Sequence, residues 1–147
     1  RLANTDQDWS EGPDAPKSPN QVADDIEAGA REVGVELRVT RAVAEAHLSV
    51  PGRVGRALAL AATQAVANAV QHAGGMGLGV SVTASEHQID IEVRDSGEGF
   101  VLEDVPDDRL GIRASIFARV AAVGGLAAID SGHRGTSVLL TWQEAGE

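Results

Sequence analysis

With 147 residues, 43% of them hydrophobic, the chain has enough apolar material for one globular domain around a single core; its formal net charge of −10 repels nucleic-acid phosphates and anionic lipid and argues against a nucleic-acid partner. There is no cysteine, so disulfide staples and thiolate metal sites are excluded, and the composition fits a reducing, cytoplasmic compartment. The only lysine is Lys17, which excludes a P-loop, whose lysine sits on the phosphates, and Schiff-base catalysis, which needs a buried amine.

Residues 1–20 are rich in Asp, Pro, Ser, Asn and Gly, with Leu2 and Trp9 as the large apolar exceptions; they read as a flexible acidic linker ahead of a domain over residues 21–147. No apolar run approaches the roughly 20 residues that span a bilayer. The chain opens on Arg1, so it is read as a piece of a longer protein, one whose full length is open to membrane anchoring. A first helix is expected from Asn20 as its cap, with Val22, Ile26 and Ala30 on one face and Gly34 as the stop. Val35, Leu37 and Val39 alternate with polar residues, which predicts a half-buried strand, and residues 44–48 could return as its hairpin partner.

After Pro51-Gly52 comes a long alanine-rich helix over residues 53–75. At 100° per residue, Leu58, Ala62, Ala65, Val66, Ala69 and Ala73 fall on one side and Gln64, Asn68, Gln71 and His72 on another. The polar stripe reads either as the solvated side of an amphipathic helix or as a set of amides kept for binding. Two alternating strands follow, with Leu78, Val80, Val82 and Ala84 in the first and Ile89, Ile91 and Val93 in the second, joined through residues 85–88 as a hairpin. Asp95-Ser96-Gly97-Glu98-Gly99-Phe100 leads into an acidic loop through Asp108. A helix is expected from about Arg113 to Val123, ended by Gly124-Gly125, and residues 126–130 and 137–142 form a second hairpin turning through residues 132–135. The expected fold is an α+β two-layer sandwich, with a mixed, largely antiparallel sheet and the helices on one face.

Taken alone, Asp95 with Gly97 and Gly99 reads either as a tight turn or as a place where a planar base lies on backbone, with the carboxylate accepting from an exocyclic amine. Gly135-Thr136 alone is a hairpin turn. Together and in this order, however, the pieces resemble the ATP-binding domain of sensor histidine kinases, within the GHKL ATPase superfamily and its Bergerat-type fold, over about residues 22–142. The resemblance is carried by Gln64-Ala65-Val66-Ala67-Asn68-Ala69-Val70-Gln71-His72-Ala73, by Asp95-x-Gly97-x-Gly99-Phe100, by Leu110-Gly111-Ile112-Arg113, by residues 119–125 (Arg-Val-Ala-Ala-Val-Gly-Gly) and by Gly135-Thr136-Ser137-Val138. It is similar to the branch of kinases whose ATP lid is short.

The resemblance implies ATP and Mg²⁺ as ligands. Asn68 would hold Mg²⁺ through its carbonyl oxygen, with Gln64 at the catalytic position one turn before it and Gln71 and His72 toward the phosphates. Asp95 would accept from the adenine amino group, Gly97 and Gly99 would shape the pocket and the lid hinge, and Thr136, after Gly135, would reach adenine through a water. The amides around Gly111 and Ile112 would meet the phosphates, with Arg113 supplying the charge that lysine cannot. Three departures stand against the family pattern: Gln64 replaces an acid, Gln71 replaces a base, and the lid has one glycine among Glu103, Asp104, Asp107 and Asp108. They imply weakened phosphate binding. His47, His87 and His133 have no metal-ligand spacing and read as surface residues.

The function implied is the ATP-binding catalytic domain of a two-component sensor histidine kinase. It would transfer the ATP γ-phosphoryl group to a histidine on an upstream dimerisation and phosphoacceptor domain, in a homodimeric, response-regulator-coupled protein. The alternatives are an anti-sigma-type serine kinase and a catalytically silent binding module of the same fold.

Overall fold

A computed structural model of the chain describes residues 15–43, 47–73, 77–96, 107–132 and 135–144, with the backbone alone for residues 72, 73, 107–113, 131 and 132. Three helices and five strands follow one another: α1 (Pro19–Glu32), β1 (Thr40–Ala42), α2 (Gly52–Ala73), β2 (Gly79–Ala84), β3 (Gln88–Asp95), α3 (Asp107–Ala121), β4 (Leu126–Gly132) and β5 (Gly135–Gln143).

The strands form one sheet in the order β1-β2-β3-β5-β4, antiparallel except for the β1–β2 pair. Alternation assigns its two faces. Val80 and Val82, Ile89, Ile91 and Val93, and Val138, Leu140 and Trp142 are buried in mutual register, and the residues between them carry the polar groups. On that polar face Thr141 Oγ1 donates to Asp90 at 2.8 Å and Ser137 Oγ to Glu92 at 3.0 Å. The helices therefore have one apolar sheet face to cover, and they share its core: Val22 and Ile26 of α1, Leu58 and Val66 of α2, Ile116 and Val120 of α3. The expected two-layer α+β sandwich with a mixed sheet is the observed fold.

Several local expectations shift. The cap of α1 is Ser18 rather than Asn20, because Pro19 suits the first helical position and Gln21 completes a reciprocal capping box with Ser18, at 3.1 and 2.8 Å. Asn20 instead accepts from Arg41 at 3.1 Å. Gly34, at φ +86°, ends the helix as expected. The stretch expected as a linker enters the fold at its end: Lys17 exchanges backbone hydrogen bonds with Val50 at 2.7 and 2.8 Å and its Nζ lies 2.9 Å from Asp25.

The strand expected over residues 35–40 is displaced to Thr40–Ala42, and its ladder partner is β2 rather than a following hairpin arm; residues 44–46 lie outside the described residues. The alternation correctly marks burial, since Val39 is buried and Val35 and Leu37 are half-buried, but the backbone donors of this segment go elsewhere. Val35 N–H donates to Ala30 O at 2.8 Å and Val39 N–H to the Glu27 carboxylate at 2.8 Å. Glu27 also lies 3.2 Å from Arg41, which reaches Asp24 at 2.8 Å. One carboxylate thus fastens the approach to β1 onto α1.

The Val39 amide, followed by Arg41, holds the Glu27 carboxyl below its ordinary value of 4.5, against the opposing effect of burial. A depressed carboxyl contributes stability that is fully present above its unfolded value and is lost as pH falls through the folded one. Glu27→Ala is expected to lower unfolding free energy by about 1.5–3 kcal/mol near pH 7, and urea unfolding curves of the two proteins should converge below pH 4.5. A gap that stays constant across pH would contradict the carboxylate clamp.

Candidate functional site

The topology brings the motif residues to one end of the sheet. β3 ends at Asp95, which is registered against Thr136 at the start of β5, while Arg94 is registered against Gly79 at the start of β2. β4 ends beside Gly135 at the same end. The connection from α2 to β2 returns there too, because Gly77 within it packs on Ser96: a Cβ on Gly77 would overlap the Ser96 hydroxyl and come within 2.8 Å of its Cβ. α3 leads into Leu126, which pairs with Thr141 at the opposite end. It therefore runs antiparallel to α2, and its first turns lie at the Asp95 end.

Within that end, the α2 stripe splits. Gln71 is exposed, whereas Gln64 and Asn68 are half-buried one turn apart, and Gln64 Oε1 and Asn68 Oδ1 are both buried without a hydrogen-bond partner. Gln64 Nε2 approaches Ser115 Oγ of α3 at 3.4 Å. A merely solvated stripe would leave these oxygens in water; here two carbonyl acceptors are buried without a protein donor, at a cost of about 1–3 kcal/mol each unless one is supplied. The described residues contain no group of three His, Asp or Glu side chains able to hold a metal ion; a side-chain amide oxygen is another ligand type that can hold one. Asn68 Oδ1 has the chemistry for that, as a neutral oxygen donor suited to a hard cation.

The other half of the site is fixed by backbone proximity. Gly135 has φ +123°, and a Cβ there would overlap the Asp95 carbonyl oxygen and lie 2.8 Å from the Asp95 carbonyl carbon. Glycine is required on both counts, and the contact locks Asp95, half-buried at its strand end, beside Gly135-Thr136. Gly97 and Gly99 lie outside the described residues. His72 belongs to α2 by its backbone, with its side chain outside the description.

The lid expectation is corrected. The loop expected through Asp108 and the helix expected from about Arg113 give way to α3 beginning at Asp107, so that Gly111, Ile112 and Arg113 all lie inside the helix. Asp107 and Asp108 sit in the first turn, where negative charge favours a helix N-terminus, so the acidic run starts the helix rather than extending the loop. Two contributors were missed in the sequence: Ser115, the partner of Gln64, and Gly77, the seat of Ser96. Ser115 was open to detection because, with Arg119 at i+4, it makes a polar pair at the same helical spacing as Gln64 and Asn68; Arg119 Nε is likewise buried without a partner.

Similar solved structures are histidine kinases. The chain is 22% identical to the histidine kinase domain of the blue-light activated histidine kinase EL346 from Erythrobacter litoralis, with a TM-score of 0.58 over 85% of this chain and 60% of that one. It is 20% identical to full-length ShkA in complex with AMPPNP, with a TM-score of 0.62 over 90% of this chain and 32% of that one. It is 14% identical to the Acinetobacter baumannii histidine kinase AdeS, with a TM-score of 0.63 over 89% of this chain and 67% of that one. The fold is that of histidine kinase domains. The chain spans less than two thirds of the length of the first two of these structures. Neither a family model nor a curated relative matches the sequence.

Two glycines with positive φ separate backbone strain from steric contact. Gly124, at φ +83°, has open space around its Cα, whereas Gly135 abuts Asp95. Gly124→Ala should cost only the left-handed backbone term, about 1–2 kcal/mol, and Gly135→Ala should cost at least about 1 kcal/mol more through overlap. Chemical denaturation of both variants tests this; equal losses would contradict the close approach at Asp95.

Proposed function

We propose that the chain is the ATP-binding catalytic domain of a sensor histidine kinase of the short-lid branch, transferring the γ-phosphoryl group of ATP to a histidine on a dimerisation domain outside this sequence. One observation carries the reading: in a histidine kinase fold, the unpartnered Asn68 carbonyl and the backbone-pinned Asp95 meet at the same sheet end. The AMPPNP complex of ShkA supports nucleotide binding at such a fold. Asp95 accepts from the adenine amino group; the same carboxylate would oppose the O6 lone pair of guanine. Thr136, in register with Asp95, reaches adenine through a water, and Gly97 and Gly99 shape the pocket and lid hinge. Asn68 holds Mg²⁺, which when bound neutralises phosphate charge. Gln71, His72 and Arg113 serve the phosphates, joined by the backbone amides around Gly111 and Ile112.

Gln64 cannot take a proton, so it can orient a nucleophile but not act as a base. Water needs such a base, whereas a neutral imidazole presents a free lone pair near pH 7. Its nitrogen forms the new bond to phosphorus as the bond between the γ-phosphorus and the departing ADP oxygen breaks. The account therefore expects phosphotransfer without appreciable hydrolysis, in a cytoplasmic, homodimeric full-length kinase that passes its phosphoryl group to a response regulator. Among the described residues no helix is long and apolar enough to cross a membrane. The amide at Gln64 also keeps a second reading in play, a module that binds nucleotide without transferring phosphate.

Calorimetric titration tests the pocket. The chain should bind ATP in preference to GTP, and Asp95→Asn should cost roughly 1.5–3 kcal/mol of ATP affinity. Equal affinity for the two nucleotides would remove the adenine pocket. For the chemistry, Gln64→Glu should raise ATP hydrolysis in the full-length protein while the unsubstituted protein labels a histidine. Labelling that appears only after Gln64→Glu would favour the silent-module reading.

A further inference from the structure

The residue that follows Asp95 is held from both sides by glycine. β3 pairs Arg94 with Gly79 of β2 and Asp95 with Thr136 of β5, and continuing both ladders sets Ser96 opposite Gly77 on one side and Gly135 on the other. In an ordinary antiparallel pair the facing Cβ atoms stand about 4.5–5.5 Å apart. Here a Cβ on Gly77 would overlap the Ser96 hydroxyl, lie 2.8 Å from the Ser96 Cβ and 3.2 Å from its backbone nitrogen, and a Cβ on Gly135 would lie 2.8 Å from the Ser96 Cα. Gly77 and Ser96 are both exposed, so the close approach fills no core. Nor does the left-handed backbone of Gly77, at φ +64°, account for it: a turn calls for glycine there without calling for contact with Ser96.

We propose that Gly77 is a positioning residue for adenine recognition: by leaving open the space that Ser96 occupies, it lets the end of β3 rest where the Asp95 carboxylate can meet the base. The inference rests on the nucleotide-site reading above. Asp95 follows Ile91 and Val93 at the same two-residue spacing, which puts it on the sheet face that the helices cover. Gly77 belongs to the connection between α2 and β2, so its contact with Ser96 ties the helix bearing Asn68 to the strand bearing Asp95, and one nucleotide has to reach both. A Cβ at position 77 cannot be relieved by swinging a long side chain aside, because the Ser96 Cβ and nitrogen stand in the way as well as the hydroxyl. The backbone next to Asp95 has to give, with Gly135 close on its other side. Misplacing a recognition group by about 1 Å forfeits much of a directional contact.

The test measures ATP and GTP affinity for the 147-residue chain and reads the ratio of the two dissociation constants. Gly77→Ala should shrink the preference for ATP roughly tenfold, the worth of a hydrogen bond to a charged group. Gly77→Asn should do the same with a smaller loss of melting temperature, since asparagine tolerates positive φ yet carries the same Cβ. Ser96→Gly should keep the preference, and in that background Gly77→Ala and Gly77→Asn should each change it less than about twofold, because the hydroxyl and Cβ they overlap are gone. An unchanged preference in both Gly77 variants overturns the proposal, as does loss of the preference in Ser96→Gly alone. So does a loss that follows melting temperature across the variants, or one equally large in the Ser96→Gly background, either of which marks backbone strain in the connection. If the unsubstituted chain binds no adenine nucleotide, or binds ATP and GTP alike, the nucleotide-site reading itself fails and this proposal falls with it; if it prefers ATP and the Gly77 variants do so equally, only the positioning role fails.

Discussion

Helix α2 is enclosed by the sheet beneath it and by α1 and α3 beside it, and only small side chains permit three such approaches at once. Ala57, Ala59, Ala61, Ala62, Ala65 and Ala69 are all buried, and the crossing with α1 is close enough that a Cβ on Gly29 would overlap the Thr63 hydroxyl. Alanine serves here twice, as the best helix former and as the least obstructive packing surface. The larger groups that complete the core, Leu58 and Val66 above and Ile91 and Leu140 below, fill what the alanines leave. The end of α2 is thereby placed against the end of β3, and the site follows from that placement.

On a helix so enclosed, polar residues are not neutral. Gln64 and Asn68 carry oxygens shut away from water with no donor supplied, which destabilises the empty fold unless something enters. Two leucines of similar volume would pack the same seam without that cost. The unmet hydrogen-bonding capacity on α2 supports the proposed binding role, and the close approach of Gly135 to the Asp95 backbone holds that strand end in place. Both features lie at the same end of the sheet.

Much of this was legible in the sequence because the relevant signals are periodic. The 3.6-residue pattern of α2 correctly names Leu58, Ala62, Ala65, Val66 and Ala69 as buried, and the two-residue pattern does so for Val80 and Val82 of β2 and for Ile89, Ile91 and Val93 of β3; together they determine the layer architecture. What was misread depends on competition for backbone groups. The alternation of Val35, Leu37 and Val39 is real in burial, yet Glu27 and Ala30 take the amides a strand would need. The acidic run before Arg113 looked like loop, although acids in a first turn favour a helix start. The local spacing of Ser115 and Arg119 marks a polar pair on α3, but the partners of Ser115 and Gly77, Gln64 and Ser96, are reached only across long sequence separations that no local pattern encodes.

The central claim is that one end of this sheet, and no other surface, receives an adenine nucleotide. Backbone amide NMR during addition of Mg-ADP reads this most directly. The account predicts shifts concentrated at Asn68, Asp95, Ser96, Gly135 and Thr136, with silence at the far end around His87, Leu126 and Gln143. Perturbations centred instead on the groove between α1 and α2, around Gly29, Leu60 and Thr63, or a spectrum that does not change, would contradict it.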